Sequence, residues 1–408
     1  MTDHFDDLET RDPDAREAAL FAALPAQIAH AKSNAPFYAR ALMATKADDV
    51  TSRAALAQLP LTRKSDLTAM QTQNPPFGGL AARAPGELAR IFQSPGPIYD
   101  VERFGRDSWR TGRALYAAGI RAGDIVHNTF AYHFTPAGAM IETGAHAIGC
   151  AVFPAGTGNT ELQIRAIQDV RPAAYAGTPS FLKVLLEKGR EAGADLSSLR
   201  CATVAGEALP PSLRAEIGDF GVQVLQWYGT ADLGLIAYES SAMEGLIADE
   251  GVIVEVVRPG TGDPVAPGEV GEVVVTSFAR DYPLIRFATG DLSAVLPGTS
   301  PCGRTNLRLK GWLGRADQTT KVKGMFVHPS QIAEIVRNHP EVLRARLVVD
   351  REGGADVITL HCETEAANAA AIEDSVQAIC KLRGQVTLCA PGTLPNDGKV
   401  IDDVRSYE

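Results

Sequence analysis

Between residues 124 and 229 the chain carries five short apolar runs, DIVHNTF (124–130), GCAVFPAG (149–156), AAYAGTP (173–179), CATVAGEAL (201–209) and VQVLQWYG (222–229). Segments of helical period, such as TELQIRAIQDV and SFLKVLLEKGREAG, lie between them. An apolar run without polar alternation has to bury both of its faces, and a strand does so only when helices cover the sheet on each side. Strand and helix repeating in this order predict an α/β fold built on a doubly wound, largely parallel sheet. Ligands of such sheets sit beyond the carboxyl ends of the strands. Gly156 to Thr160, Thr178, Gly206, Glu207 and Gly229 to Asp232 stand there and are the first places to look.

The flanking segments read differently. Residues 14–45 have apolar residues at helical spacing, interrupted near Pro25 and Pro36, and predict a helical N-terminal cap. From 252 to about 296 the pattern turns β-rich around Gly and Pro turns, with VIVEVV and GEVGEVVVTSFA. Helices in PSQIAEIVRN and NAAAIEDSVQAICKLRG mix with strands in RARLVVD and ADVITLHCE near the end, which predicts a small α+β module. WLGRADQTTKVKG (312–324), rich in glycine and charge, falls at the seam between the two parts.

The 408 residues leave room for two or three domains, and a hydrophobic fraction of 45% is that of a globular chain. A net charge of -10 argues against a general nucleic-acid or anionic-membrane surface, and no run approaches the ~18 apolar residues of a membrane span. The acidic start MTDHFDDLETRDPDAREAAL is unlike a signal peptide, and the six scattered cysteines include no CxxC pair. Free thiols in the cytoplasm are expected.

Several strings offer chemistry. In WYGTADLG (227–234) Tyr228 has a ring that can stack on a flat base, Thr230 a hydroxyl for a phosphate, and Asp232 a carboxylate for a hard cation such as Mg²⁺; a strand followed by an Asp turn accounts for the same letters. RFATGDLS places Asp291 where a carboxylate accepts both hydroxyls of a ribose, and GRAD adds the forked donor Arg315; a turn and a surface salt bridge are the plain alternatives. LPNDGKVIDDVR puts Lys399 after a Gly-led turn, where a solvated tail lysine is also common.

Taken in order, these strings resemble the adenylate-forming enzymes and, within them, the phenylacetate–CoA ligase family, over nearly the whole chain. Residues 131–182 look like the family's sheet segment, AGEAL (205–209) like its adenine-side turn, YGTADLG like its Tyr-Gly-x-x-Glu motif, ATGDL like its ribose-binding Thr-x-Asp, GRADQTTKVKG like its hinge and DGKV like its catalytic-lysine motif. The resemblance implies an acid–thiol ligase using ATP, Mg²⁺ and CoA: a carboxylate attacks the α-phosphate to give an acyl-adenylate and pyrophosphate, then a thiol displaces AMP. It implies that Gly206 and Glu207 flank the adenine with Tyr228 and Gly229, that Thr230 and Asp232 face the phosphates and the metal, that Asp291 and Arg315 take the ribose, and that Lys399 offsets the developing charge. It further implies an adenylation domain over 1–313, a hinge region over 314–323 turning about Asp317, and a mobile C-terminal domain over 324–408 whose face at Lys323 and Gly324 receives the thiol. Small-molecule substrates are the implied partners, with a homodimer left open.

The chain also departs from the family. The phosphate loop, normally rich in Ser, Thr and Gly with one Lys, is IFQSPGPIYD (91–100): Ser94 remains, but Pro95 and Pro97 lack an N–H and no lysine is present. One of Arg103, Arg106, Arg110 and Arg113 is a substitute for that lysine, unless all four lie on a solvated helix face. Asp232 replaces a Glu. Only Cys302 is left of the zinc ligands of some relatives, so no structural zinc is expected. Tyr132, His133 and Phe134 in AYHFTP suggest an acyl pocket suited to an aryl or arylacetic acid. A non-catalytic binder of nucleotide or acyl-adenylate, and an activator that loads a carrier-protein thiol, stay open beside the CoA ligase.

Overall fold

The computed structural model describes residues 4–94, 97–316, 320–323, 325–352, 355–365, 368–395 and 399–405. Asp317, Gly324 and Pro95 lie outside the described residues. The contacts divide the chain into two units, Met1–Val254 with Val275–Phe287 and Leu296–Gly311, and Glu255–Val274 with Ala288–Val295 and Trp312–Glu408.

The first unit opens with helix Pro13–Asn34, started by Asp12, whose side chain accepts from Ala15 N, and by Pro13 at the first helical position. Pro25 does not interrupt it. Leu20, Phe21, Leu24, Ile28 and Ala31 form one buried stripe through that point, and the burial outweighs the missing N–H bond. Pro36 does restart the chain, as helix Pro36–Ala41. Strand β1 (Thr62–Arg63) follows, then an antiparallel hairpin of β2 (Arg90–Ser94) and β3 (Ile98–Glu102) that sets Ser94 opposite Ile98 and Phe92 opposite Asp100.

The five apolar runs become β4 (Ile125–Asn128), β5 (Ala151–Pro154), β6 (Ala174–Gly177), β7 (Cys201–Val204) and β8 (Gln223–Thr230), parallel to one another in the spatial order β5-β4-β6-β7-β8. β9 (Gly234–Glu239), β10 (Leu246–Ala248), Arg308–Leu309 and Val295–Leu296 continue that sheet beyond β8. Helix Ala137–Ala147 packs into one core with Trp109, Leu115, Phe130 and Trp227. Helices Thr160–Val170, Pro179–Glu191 and Pro211–Gly218 pack into another with Tyr175, Val204 and Val224. Helices on both faces make the sheet doubly wound, as its apolar runs require. The chain is an α/β protein, and among the described residues no helix is long and apolar enough to cross a membrane.

The switch point lies between β4 and β6, where the winding reverses. It is packed so tightly that a Cβ on Gly177 would stand 2.0 Å from Thr129 Oγ1 and 2.2 Å from the Tyr175 hydroxyl, two groups that bond each other at 2.8 Å. Gly177→Ala should therefore lower stability by about 1–3 kcal/mol, read as a drop in the denaturation midpoint; an unchanged midpoint would show that the Thr129–Tyr175 pair gives way freely.

Strands β11 (Val252–Val257), β12 (Gly271–Ser277) and β13 (Phe287–Ser293) form a second sheet in the order β1-β13-β12-β11, and Gly314–Arg315 pairs with β13. In the second unit Arg344–Glu352 pairs antiparallel with Ala355–Glu363 and parallel with Ile401–Asp403, and Gln385–Cys389 adds to the other edge. Helices Pro329–Asn338 and Ala369–Cys380 bury Ile332, Ile335, Ile372 and Val376 against Leu347, Val349, Ile358 and Leu360.

Candidate active site

In the first unit the candidate residues stand at the carboxyl ends of the parallel strands. After β7 the chain turns through Gly206, whose φ of +81° suits glycine, and exposes Glu207. β8 runs on past Gln226, its last residue paired with β7 (opposite Val204), and folds back on β9 with Tyr228 opposite Ala237 and a bulge between Tyr228 and Gly229. A side chain at Gly229 would meet Gly234 O at 2.4 Å, so this hairpin closes only on glycine. The Thr230 hydroxyl accepts from Leu233 N at 3.2 Å and fixes the turn that presents Asp232.

Asp232 is where the structure adds most to the sequence. Its side chain is fully buried, Oδ2 accepts from Lys64 Nζ at 2.5 Å, and Oδ1 has no hydrogen-bond partner. Beside it lies Asp100 of β3, buried as well, with neither carboxylate oxygen bonded. Burial first and the neighbouring Asp232 charge second push the Asp100 carboxyl well above the usual carboxylate range, against the pull of the Ser94 hydroxyl and then of Lys64. Ser94 Oγ reaches Ile98 O at 3.4 Å and so closes the mouth of the hairpin that carries Asp100. Neither Lys64 nor Asp100 was singled out by its sequence surroundings.

The four arginines downstream of the loop do not form a solvated face. Arg110 donates to Asp249 at 2.6 Å and to the carbonyls of Leu233 and Leu235 at 2.8 Å each, bracing the turn that holds Asp232. Arg113 is buried against Asp6, Glu9 and Asp249. Arg103 donates to Ser108 O and Arg106 to Ala147 O. Arg110 and Arg113 are held by partners distant in sequence, which is why helical spacing misplaced them, whereas Arg103 bonds locally and Arg106 is exposed.

Tyr132 turns inward and accepts from Asn128 Nδ2 at 2.8 Å; burial and then Glu142 raise its hydroxyl pKa. His133 and Phe134 are exposed, Phe134 at 74%, so these three residues do not close a pocket by themselves. Phe134 has a φ of +61°, and its carbonyl accepts from Gln93 N at 2.8 Å, which ties this segment to β2. A cleft of about 830 Å³ between helices Thr160–Val170 and Pro179–Glu191 carries none of the candidate residues.

In the second unit Asp291 on β13 is the register partner of Arg315. Asp291 Oδ1 accepts from Arg315 Nη1 at 3.0 Å and from Trp312 Nε1 at 3.1 Å. The guanidinium lies over Gly290, whose φ is +77° and where a Cβ would stand 2.6 Å from Arg315 Nη2. Thr289 Oγ1 donates to Val273 O and accepts from Asp291 N, which fixes the carboxylate's backbone. Lys399 Nζ donates to Asp402 Oδ1 at 2.8 Å, and Asp402 also accepts from Arg346 at 2.6 Å. Burial raises the Asp402 pKa, but these two cations outweigh it and hold the carboxyl below its ordinary range. Lys323 is exposed, with its N–H on Asp356 at 3.1 Å.

Cys302 Sγ lies 3.0 Å from Ser300 Oγ, and among the described residues no three His, Cys, Asp or Glu side chains cluster as metal ligands.

The AMP-binding enzyme family profile matches residues 105–279. Phenylacetate-coenzyme A ligase of Thermus thermophilus is 32% identical over 354 residues, covering 82% of this chain and 78% of the relative. The enzyme of the same name from Escherichia coli K12 is 30% identical over 397 residues, covering 92% and 88%. Among solved structures, an open conformation of 2-hydroxyisobutyryl-CoA ligase in complex with 2-HIB-AMP and CoA superposes with a TM-score of 0.73 at 25% identity, covering 97% of this chain and 92% of that one. Matches of this extent place the chain in the phenylacetate–CoA ligase family of AMP-binding enzymes.

Proposed function

We propose that the chain is an ATP-dependent carboxylic acid–CoA ligase that activates an aryl or arylacetic acid. Ligation of acid to CoA through an acyl-adenylate is the family's reaction, and the observation that carries it to this chain is the Asp291–Arg315 pair, held over Gly290 and braced by Trp312. A carboxylate with a forked donor beside it matches the two hydroxyls of a ribose. Gly206 and Glu207 flank the adenine, Tyr228 stacks on it, and Thr230 meets the phosphates. Lys64, the cation on Asp232, takes the place of the absent loop lysine. Lys399 offsets the negative charge that builds between the attacking carboxylate and the α-phosphate. Residues 324–408 turn about Asp317 between the two half-reactions, bringing the face at Lys323 to the thiol. The acid lies along Tyr132, His133 and Phe134.

Mg²⁺ neutralises polyphosphate charge when bound, and Asp232 is the residue that would hold it. The donor fits a hard cation, because Oδ1 is a buried carboxylate oxygen with no other partner. Six free cysteines suit the reducing cytosol as the place of work.

Incubation of the protein with a panel of aliphatic, aryl and arylacetic acids, ATP and CoA, reading AMP and pyrophosphate, tests the reading. Turnover on aryl or arylacetic acids supports it, and turnover confined to aliphatic acids removes the substrate class. Gly290→Ala tests the ribose contact. A non-glycine residue at that φ and the displaced guanidinium together cost about 1–2 kcal/mol, or roughly tenfold in AMP affinity by calorimetry. Unchanged affinity would detach Arg315 from the nucleotide.

A further inference from the structure

Of the two buried carboxylates Asp100 and Asp232, it is Asp232 that pairs with a cation, Lys64, among the described residues. A bare carboxylate in a protein interior is among the most costly arrangements a fold can hold, and it persists where a ligand uses it. Asp100 is 0% exposed with both oxygens unbonded, and Asp232 keeps Oδ1 unbonded beside it. Asp232, though not Asp100, also borders a cavity of about 20 Å³, lined by Arg103, Arg110, Ser277 and Tyr282 among others, whose Ser277 and Tyr282 hydroxyls are unbonded too. That space is enough for one water or small ion.

We propose that Asp100 and Asp232 together form a two-carboxylate seat for a divalent cation. The inference rests on the reading of Asp232 as the metal carboxylate and adds the second ligand. Oxygen-only donors exclude a preference for zinc, and Mg²⁺ is commonly held by one or two carboxylates, with water and phosphate oxygens completing its octahedron. The register explains the position. Asp100 lies two residues after Ile98, the partner of Ser94 at the mouth of the hairpin, so the altered loop SPGP carries its own carboxylate. With no loop lysine and prolines at 95 and 97, a cation held by two carboxylates would add positive charge for the polyphosphate beside that of Lys64.

The test is titration of the full chain with Mn²⁺ alone, following free Mn²⁺ by electron paramagnetic resonance, for wild type, Asp100→Asn and Asp232→Asn. One site per chain is expected in wild type, weakened about tenfold or more in each variant. Melting curves give a second readout: Mn²⁺ should raise the midpoint of wild type but not of Asp100→Asn, and without metal Asp100→Asn should melt higher than wild type because a like charge is gone. Should Asp100→Asn not fold, Asp100→Ser takes its place in both measurements. Wild-type affinity in Asp100→Asn with loss in Asp232→Asn would overturn the second ligand and leave Asp232 as the metal residue. Equal affinity in all three proteins would overturn both.

Discussion

Lys399→Ala lowers pyrophosphate release by about 10²–10³-fold, the usual worth of one preorganised donor at a developing charge, and leaves thioester formation from supplied acyl-adenylate largely intact. The structure makes this a clean measurement. Lys399 is half exposed, and Asp402, to which it donates, keeps Arg346 at 2.6 Å after the substitution. An ion pair this exposed contributes about 0–1 kcal/mol to stability, too little to unfold the second unit. Asp402 sits opposite Val348 on the parallel pair of strands that closes that sheet, so the position of residue 399 is set by backbone and survives the change. With the lysine acting on the α-phosphate as proposed and the second step needing no such charge, the two half-reactions should separate. Pyrophosphate release at the wild-type rate would sink the assignment.

What the sequence made legible follows from which forces are local. The parallel sheet could be read because its central strands β4, β6 and β7 bury two faces, and the apolar runs therefore mark themselves. The helices of the C-terminal unit were legible for the same reason, with Ile332, Ile335, Ile372 and Val376 at helical spacing. Pro25 misled because a local penalty was weighed without the buried stripe that opposes it. Arg110 and Arg113 misled because their partners, Asp249, Asp6 and Glu9, are fixed only by the tertiary fold. Asp291 and Arg315 came through as motif letters, yet their register pairing across β13 had no local signal. Lys64 and Asp100 had the least. The alternation of IYDVE does put Ile98, Asp100 and Glu102 on one face, but only the hairpin shows that this face is buried.

Lys64→Met should cost more stability than any other single change in the first unit's candidate site, about 3–5 kcal/mol, the range for removing one partner of a buried pair. The side chain of Lys64 is 22% exposed and that of Asp232 is 0%, so the ammonium reaches water while the carboxylate cannot. Methionine keeps the packing of the lysine stem and deletes only the charge. Two adjacent buried carboxylates are then left without the cation on Asp232, and Asp100, already pushed up by burial and by Asp232, has to take up a proton before the fold can close. If that is the origin of the loss, removing one of the two charges should repair it. Lys64→Met combined with Asp100→Asn should recover most of the denaturation midpoint, a coupling between sites that do not share a hydrogen bond. The same double variant should still bind ATP more weakly than wild type, because stability returns while the ammonium proposed to face the phosphates does not. A midpoint that stays low in the double variant would mean that Lys64 stabilises the fold by packing. ATP affinity equal to wild type would mean that its charge never reaches the phosphates.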